Sequence, residues 1–223
     1  MRTAQDYKEV TTSFNMNFIE KTKRQFDRWA RVYDSFLFRI YFEPLYKRLL
    51  AMIDHEAHDT LKKGGTFLDV ACGTGEIMYR LAKRYPKSEF YGIDLSPEMI
   101  KKAKEKANGA KNLIFQAGTV DELPFQDNAF DIVLCSEAFH HFEHPKRSLE
   151  EMRRVLREGG IFLLMDPAYD VWWQKIIVRI ADIFETNEKA YPRKEFFELF
   201  QNAGFRTEYS FYWRFNNFFL ARK

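Results

Sequence analysis

Apolar positions recur along this chain with two different periods. From Phe26 to Tyr41 they recur at steps of three and four residues, which predicts a helix. A second helical pattern runs from Leu45 to Ala57 directly after Pro44, a residue that suits the first turn of a helix. Gly64-Gly65 ends this part of the chain. We therefore expect residues 1–64 to form a helical cap beside the main domain.

From Thr66 onward, short apolar runs alternate with helical patterns, which is typical of a parallel sheet covered by helices on both faces. The predicted strands cover residues 67–70, 90–93, 113–115, 132–135 and 161–165. The helix before the last of these is predicted to end at Gly159-Gly160. Two aromatic extended runs, Phe205–Tyr212 and Phe215–Ala221, lie too close together for a crossover helix and should pair antiparallel. We expect an α/β domain over residues 65–223, with a helical insertion at about 170–203 after the fifth strand.

The composition is typical of a soluble globular protein, with 46% hydrophobic and 30% charged residues among 223. A net charge of +3 is too small to indicate a nucleic-acid partner. Cys72 and Cys135 each follow apolar runs and are interpreted as reduced thiols. The N-terminal residues lack a hydrophobic signal region, and no apolar run approaches the ~20 residues of a membrane span. A cytoplasmic location is therefore expected.

The most informative stretch is a small-residue loop between a predicted strand and a predicted helix, Phe67-Leu68-Asp69-Val70-Ala71-Cys72-Gly73-Thr74-Gly75-Glu76. Such a loop forms a ligand site at the carboxyl end of a strand. A phosphate-binding loop would carry Lys and then Ser or Thr after its last glycine, whereas Gly75 is followed by Glu76-Ile77. A dinucleotide-binding loop would carry a third glycine where Met78 stands. Asp69 and Glu76 also place negative charge on both sides of the loop, which is unfavourable beside a pyrophosphate.

A cationic ligand fits this loop better. S-adenosylmethionine carries a sulfonium and an ammonium group, which an acid at a strand end attracts. Gly73 and Gly75 let the backbone approach a ligand closely. Asp94 ends the second predicted strand, where a carboxylate can accept hydrogen bonds from both ribose hydroxyls. NAD sites also use an acid at this position, so the loop alone leaves that alternative open.

Several motifs resemble those of class I S-adenosylmethionine-dependent methyltransferases, in the family's order from residue 68 to residue 160. Leu68–Gly75 looks like the family's first motif, and Gly92–Ser96 resembles its second. Three stretches resemble the family's segment around the fourth strand: Leu123-Pro124-Phe125, Phe130–Val133 and His140-His141-Phe142. Arg154–Gly160 is similar to the family's turn into the fifth strand. The resemblance implies a Rossmann-like, doubly wound sheet of seven strands, mostly parallel with an antiparallel last strand. The pattern looks closest to the ubiquinone/menaquinone-biosynthesis-like branch.

The same resemblance implies S-adenosylmethionine as cofactor and S-adenosylhomocysteine as product. It assigns cofactor binding to Tyr33, Asp69, Ala71, Cys72, Gly73, Gly75, Asp94, Leu95, Thr119, Val120 and Ser136. Tyr33 resembles a tyrosine that closes over the cofactor in small-molecule methyltransferases, with core packing as the alternative. Two positions depart from the family pattern. Thr119 stands where many members carry an aspartate for the adenine, and Ala71 replaces a loop glycine, which is tolerable if its φ stays negative.

Three histidines, His140, His141 and His144, follow the fourth predicted strand, near the expected position of the transferred methyl group. His140 and His141 are candidate general bases, which are required only if the nucleophile arrives protonated. A structural or helix-capping role is the alternative. The spacing of His140 and His144 also suits a metal site, but no acid or cysteine at ligand spacing supports one, so no metal is expected.

Residues 171–184 form an amphipathic pattern, with Lys175 and Arg179 on its polar side. Core packing is one interpretation of its apolar stripe. The others are a lid over an apolar acceptor and a helix in transient contact with a membrane surface. The predicted acceptor pocket combines Tyr33, His140, Trp173 and Tyr191.

The expected function is transfer of a methyl group from S-adenosylmethionine to a small apolar or aromatic acceptor, such as a quinone, a lipid or a related metabolite. One alternative is an RNA or protein methyltransferase, for which the lysine run at 101–106 is the candidate contact. Another is a binding module that retains the cofactor fold without catalysis. A small-molecule acceptor is the preferred partner, and no nucleic acid is expected.

Overall fold

The computed structural model describes residues 16–30, 36–168 and 191–223. Its helices are α1 (Met16–Trp29), α2 (Phe36–Lys62), α3 (Glu76–Arg84), α4 (Pro97–Ala107), α5 (Pro145–Val155) and α6 (Arg193–Asn202), with a 3₁₀ turn at Phe139–His141. Its strands are β1 (Thr66–Val70), β2 (Glu89–Asp94), β3 (Leu113–Ala117), β4 (Phe130–Ser136), β5 (Leu156–Pro167), β6 (Arg206–Trp213) and β7 (Asn216–Arg222). Tyr33, Trp173 and the amphipathic segment 171–184 lie outside the described residues.

The seven strands form one sheet in the order β3-β2-β1-β4-β5-β7-β6. Neighbours from β3 to β5 are parallel, and β7 runs antiparallel to both β5 and β6. The chain leaves β1 first toward β2 and β3 and then returns to β4 on the other side. A crevice therefore forms at the carboxyl ends of β1 and β4, where open α/β sheets bind their ligands. The predicted mostly parallel sheet with an antiparallel last strand is confirmed.

Helices cover both faces of the sheet, and the core is correspondingly divided into two layers. Phe67 and Leu68 of β1 are both 0% exposed, and they belong to opposite layers because successive strand residues point to opposite faces. Leu49 and Ile53 of α2 pack in the layer that contains α3 and α4. The division of the chain into a cap at 1–64 and a domain at 65–223 stays a prediction.

The sequence placed several helix boundaries wrongly. The predicted helix from Phe26 to Tyr41 is divided between α1 and α2, and Pro44 lies inside the 27-residue α2 rather than in its first turn. Burial of Leu45 and Leu49 against the core offsets the backbone hydrogen bond that a helical proline cannot donate. Across the described part of the chain, no helix is long and apolar enough to cross a membrane.

The predicted end of α5 at Gly159-Gly160 is also wrong. The helix ends at Val155, and residues from Leu156 onward belong to β5. Leu156 is fully buried and pairs with Phe130 of β4, and the register shifts before Ile132 pairs with Ile161. Burial of Leu156 between sheet neighbours therefore extends the strand through residues that read as a helix end.

Candidate active site

An open cleft of about 840 Å³, part of it continuous with solvent, lies at the carboxyl ends of β1 to β4. The predicted cofactor residues that line it are Ala71, Gly73, Asp94, Leu95, Thr119, Val120 and Ser136. The topology thus brings together residues that are far apart in sequence, because all of them follow strands that end at the same edge of the sheet.

The glycine loop is held against Asp94 by two backbone hydrogen bonds. Gly73 N donates to Asp94 Oδ2 at 2.8 Å, and Ser96 N donates to Asp94 Oδ1 at 2.9 Å. Burial raises the pKa of this carboxyl to about 6, although both hydrogen bonds oppose the shift. Asp94 is thus fixed in position and lines the cleft. This geometry suits the predicted contact with ribose hydroxyls.

Gly75 is required by both conformation and space. Its φ is +71°, and a Cβ there would lie 2.7 Å from the ring of Phe115 and 3.2 Å from the Cβ of Ala103. Its own N–H donates to the carbonyl of Cys72 at 2.9 Å, which closes the turn. Gly75 therefore shapes the loop at the start of α3, and it is not among the described residues that line the cleft.

The condition under which Ala71 was considered tolerable, a negative φ, is not met. Its φ is +58°, in the left-handed region that favours glycine. The turn out of β1 needs this conformation because Cys72 N must donate to the carbonyl of Ile93, at 3.0 Å. Ala71 therefore has the left-handed backbone conformation that is usual for glycine.

The two acids beside the loop, Asp69 and Glu76, are not among the described residues that line the cleft. Asp69 is 2% exposed, does not line the cleft as described, and has one carboxylate oxygen without a hydrogen-bond partner. Burial, with a smaller contribution from the charge of Asp94, raises its pKa well above the ordinary value. Glu76 pairs with Lys106 at 2.9 Å and with Arg80 at 2.8 Å, so its negative charge is compensated. The negative charge that reaches the cleft comes from other residues.

Lys106 also donates to Thr74 Oγ1 at 3.0 Å. The last residue of the lysine run 101–106 therefore ties α4 to the glycine loop. This contact accounts for Lys106 without a nucleic-acid partner.

Cys72 belongs to the loop, is half-buried and does not line the cleft as described. Burial raises the pKa of its thiol well above the ordinary value. Cys135 is a buried thiol of β4. Both cysteines are free in the structure, as predicted.

Helix α1 forms one wall of the cleft, which the sequence did not indicate. Its residues Phe18, Ile19, Thr22 and Phe26 line the cleft beside the strand-end loops. The predicted helix began only at Phe26, so these residues were missed. Their three- and four-residue spacing was the available signal.

A side-chain contact anchors α1 to the cofactor end of the cleft. Ser96 Oγ donates to Asp27 Oδ1 at 2.5 Å and accepts a hydrogen bond from Met99 N at 3.1 Å, so it also caps α4. Ser96 N in turn donates to Asp94. One serine therefore joins α1, α4 and the carboxylate at the end of β2.

Beyond β3, the loop at Thr119 and Val120 continues into Asp121, which also lines the cleft and was not predicted. Asp121 is 5% exposed and accepts a hydrogen bond from Ser148 Oγ. Its other oxygen lies 3.1 Å from His144 Nδ1. His144, just before α5, thus contacts Asp121, whereas His140 contacts Asp166.

His140 and His141 occupy different environments although they are adjacent in sequence. His140 Nδ1 lies 3.0 Å from Asp166 Oδ1, which also accepts hydrogen bonds from the backbone N–H groups of Ala138 and Phe139. The two imidazole rings lie 3.9 Å apart. Of the two, His141 lines the cleft as described, and His140 is buried and is not among the lining residues. The catalytic role predicted for either residue stays a prediction.

Tyr191 does not line the cleft formed by the described residues. It is 6% exposed and packs against the rings of Phe139 and Phe196, at 5.5 Å from each. Tyr33 and Trp173, the other aromatic residues predicted for the acceptor pocket, lie outside the described residues, as does the predicted membrane-contact segment 171–184.

The charged side chains that line the cleft, as far as it is described, are all acidic: Asp94, Asp121, Glu137 and Glu143. Glu137 has a φ of +53°, and a strained residue at a strand end often marks a functional site. An acidic lining attracts a sulfonium and an ammonium group and repels a pyrophosphate. Together with the fixed carboxylate of Asp94 and the loop around Gly73, it fits a cationic nucleoside such as S-adenosylmethionine.

Comparison with known proteins agrees with this site. Residues 61–204 match a family described as a methyltransferase domain. A demethylmenaquinone methyltransferase from Deinococcus radiodurans is 34% identical over 165 residues, which cover 64% of this chain and 68% of that protein. A protein of the same name from Staphylococcus aureus is 28% identical over 192 residues, covering 72% and 80% of the two chains.

A solved structure, magnesium protoporphyrin IX methyltransferase from Synechocystis PCC 6803 with bound S-adenosylhomocysteine, superimposes with a TM-score of 0.71. The match covers 91% of this chain and 95% of that one, at 18% identity, which shows a shared fold. The family match spans most of the chain, and the sheet order, the glycine loop and the acid-lined cleft agree with it. The chain belongs to the class I S-adenosylmethionine-dependent methyltransferases.

Proposed function

We propose that this enzyme transfers a methyl group from S-adenosylmethionine to a small apolar or aromatic acceptor, of which a quinol is the first choice. The main support for this proposal is that a single cleft contains two parts. One is the loop and carboxylate predicted to hold the cofactor, and the other is an aromatic end. That end is formed by Phe26 of α1, His141 and Phe142. The names of the relatives from Deinococcus radiodurans and Staphylococcus aureus support a quinone as the acceptor class.

The cofactor supplies a methyl group on a cationic sulfur, whose departure as a neutral thioether drives the displacement. In this proposal Asp94 accepts hydrogen bonds from the ribose, Gly73 and Ala71 border the methionine part, and Thr119 and Val120 border the adenine. The acidic lining favours the positive charge of the donor. Positioning of two reactants in line contributes on the order of 7–11 kcal/mol to such a reaction.

The apolar residues of the cleft support an apolar acceptor. Ile19 and Phe26 approach the cleft from α1, and Phe142 approaches it from the segment after β4. An aromatic acceptor bound between such side chains is shielded from water, and each buried apolar ring contributes about 1.5–3 kcal/mol to binding. We infer that the acceptor binds next to α1, beyond the strand-end loops.

The charges of the cleft argue against RNA as the acceptor. RNA binding requires Lys or Arg side chains along the path of the phosphates. Among the described residues that line the cleft, the charged ones carry carboxylates only, including Asp121 and Glu143. A polyanion would be repelled where the methyl group has to be transferred.

The proposal is tested with the purified full-length chain, labelled S-adenosylmethionine and a reduced 1,4-naphthoquinone that bears a short prenyl chain. We expect methylation of the naphthoquinol, detected by mass spectrometry, and binding of S-adenosylhomocysteine in calorimetry. The Asp94→Ala variant should lose this binding. A matched control is Asp59→Ala, which changes an exposed acid of α2 remote from the cleft lining.

Two outcomes would contradict the proposal in different ways. A wild-type protein that does not bind S-adenosylhomocysteine would refute the assignment of the cofactor site and support a different ligand. A protein that binds it but methylates RNA or a peptide, and no naphthoquinol, would refute the acceptor class alone.

A further inference from the structure

His141 is a polar side chain at the aromatic end of the cleft, the part lined by Phe26 and Phe142. Its ring lies 5.1 Å from the ring of Phe26 in an edge-to-face arrangement, with an interplanar angle of 79°. Phe142 follows it directly and lines the same region. In the proposed function, the methyl acceptor binds here, so this imidazole is placed to contact it.

The two nitrogens of His141 have different surroundings. Nδ1 is enclosed by protein and has no hydrogen-bond partner. The residue as a whole is 8% exposed and lines the cleft, so Nε2 is the nitrogen left to face the cleft. A ligand can therefore reach His141 at Nε2.

The enclosed Nδ1 determines which form of the ring is stable. An imidazolium carries a proton on both nitrogens and would place an N–H group at Nδ1 without an acceptor. A buried unpaired donor costs about 1–3 kcal/mol. In the neutral ring, a proton on Nε2 leaves only a lone pair enclosed, which is tolerated better than an orphaned N–H group. The surroundings thus favour a neutral ring with its proton on Nε2.

The charges near the ring act in opposite directions. Carboxylates that line the same cleft would favour a protonated His141, whereas the adjacent His140, held by Asp166, disfavours it. The elements around the ring contribute Phe26 from α1 and the titratable side chains His140, Asp166, Asp94, Asp121, Glu137 and Glu143. Burial, followed by the charge of His140, lowers the pKa of His141 well below its ordinary value. A proton-accepting base at this position would therefore be a weak one.

We propose that His141 is a catalytic residue that donates a hydrogen bond from Nε2–H to an oxygen of the methyl acceptor and remains neutral throughout turnover. This inference rests on the proposed function, because it requires an acceptor with an oxygen next to the methylated atom. It replaces the general base considered from the sequence with a hydrogen-bond donor.

The reaction balances without any proton transfer to or from His141. The acceptor's hydroxyl loses its proton to water, and the hydrogen bond from Nε2–H stabilises the resulting oxyanion. The acceptor's carbon or oxygen then forms a bond to the methyl group, and the carbon–sulfur bond breaks with its electron pair going to sulfur. The anionic acceptor and the cationic donor become two neutral products. Transfer to oxygen gives the ether directly, whereas transfer to carbon gives a keto tautomer, whose ring C–H proton then goes to water while the oxygen regains a proton from water. A hydrogen bond to a charged group of this kind raises the population of the ionised, reactive acceptor by about 10- to 100-fold.

Substitution of His141 by Gln or Asn distinguishes a hydrogen-bond donor from a general base. The amide nitrogen of Gln can occupy the position of Nε2, whereas that of Asn lies near the position of Nδ1. With the reduced naphthoquinone as acceptor, we expect His141→Gln to retain kcat/KM within about tenfold of wild type. His141→Asn and His141→Leu should lose about 100-fold, the upper end of that range. The affinity for S-adenosylhomocysteine should change little in all three, because the residue is placed at the acceptor end.

The same variants can overturn the inference. A general base would be lost equally in the Gln and Leu variants, and the acidic limb of the pH profile of kcat would disappear in both. Equal losses in these two variants therefore refute the hydrogen-bond role, and wild-type rates in the Leu variant refute any catalytic role.

A spectroscopic measurement on the wild-type protein avoids variants that fail to fold, and it needs no acceptor. In the complex with S-adenosylhomocysteine, ¹⁵N NMR should show His141 neutral at pH 6 to 8 with its proton on Nε2. An imidazolium at pH 7, or a proton on Nδ1, would overturn the inference. Because no methyl transfer is involved, this result is independent of the acceptor class in the proposed function.

Discussion

Replacing Ala71 by glycine should stabilise the protein, because Ala71 is held at a φ of +58°. A residue with a Cβ pays about 1–2 kcal/mol in this region of conformational space, and glycine does not. Against this, glycine loses about 0.5–1 kcal/mol through the greater backbone entropy of the unfolded chain. The difference is a stabilisation of roughly 0.5–1 kcal/mol.

Urea unfolding of Ala71→Gly and wild type, followed by circular dichroism, measures this difference. With an m value of about 2 kcal/mol/M, the midpoint should rise by roughly 0.4 M. Ala110→Gly is the matched control, since Ala110 is an exposed loop residue whose φ is not positive. The control should lower the midpoint through backbone entropy alone. If Ala71→Gly lowered the midpoint as the control does, the strain assigned to the turn after β1 would be refuted.

Two further predictions concern buried carboxylates. Because burial raises the pKa of Asp94 to about 6, and the ribose hydroxyls are proposed to donate to its ionised form, affinity for S-adenosylhomocysteine should fall as the pH drops below about 6. The limit is tenfold per pH unit, and calorimetry at pH 5 and 7.5 measures it. Asp166→Ala should lower the free energy of unfolding by about 3 kcal/mol, since it leaves His140 and the N–H groups of Ala138 and Phe139 without their acceptor. Urea unfolding measures this loss.

Each of these has its own control. Asp94→Asn should bind S-adenosylhomocysteine more weakly at pH 7.5 and show no step near pH 6; a step of wild-type size in this variant would assign the titration to another group. For Asp166, the matched substitution is Glu198→Ala, an exposed acid of α6 that pairs with Lys194 at 3.7 Å. It should change stability by less than about 0.5 kcal/mol. Equal effects of the two substitutions would show that Asp166 is not an important acceptor for the segment after β4.

The strands were predictable because their signals are local. The runs around Phe67, Phe90 and Ile132 are buried on both faces of a parallel sheet, so nearly every residue in them is apolar. The glycine loop was predictable for a similar reason. Small residues between a strand and a helix permit few conformations, and Gly73 and Asp94 meet wherever β1 and β2 are parallel neighbours.

Helix boundaries were less predictable because tertiary packing decides them. Leu156 reads as the last apolar position of a helix, but its burial beside Phe130 draws it into β5. Pro44 reads as a helix start, but the packing of α2 on the sheet carries the helix through it. In both cases a local preference is outweighed by burial of apolar side chains against residues far away in sequence.

The sequence by itself determined the fold class, the glycine loop and the carboxylate of Asp94, because the periodicity of apolar residues and the spacing of small and acidic ones are local properties. Only the tertiary structure decided which groups reach the cleft. It left Asp69 buried outside the cleft lining and brought α1 to one wall through the contact of Asp27 with Ser96. It also gave the adjacent His140 and His141 different surroundings. These outcomes depend on burial and on partners distant in sequence, which no local pattern of residues contains.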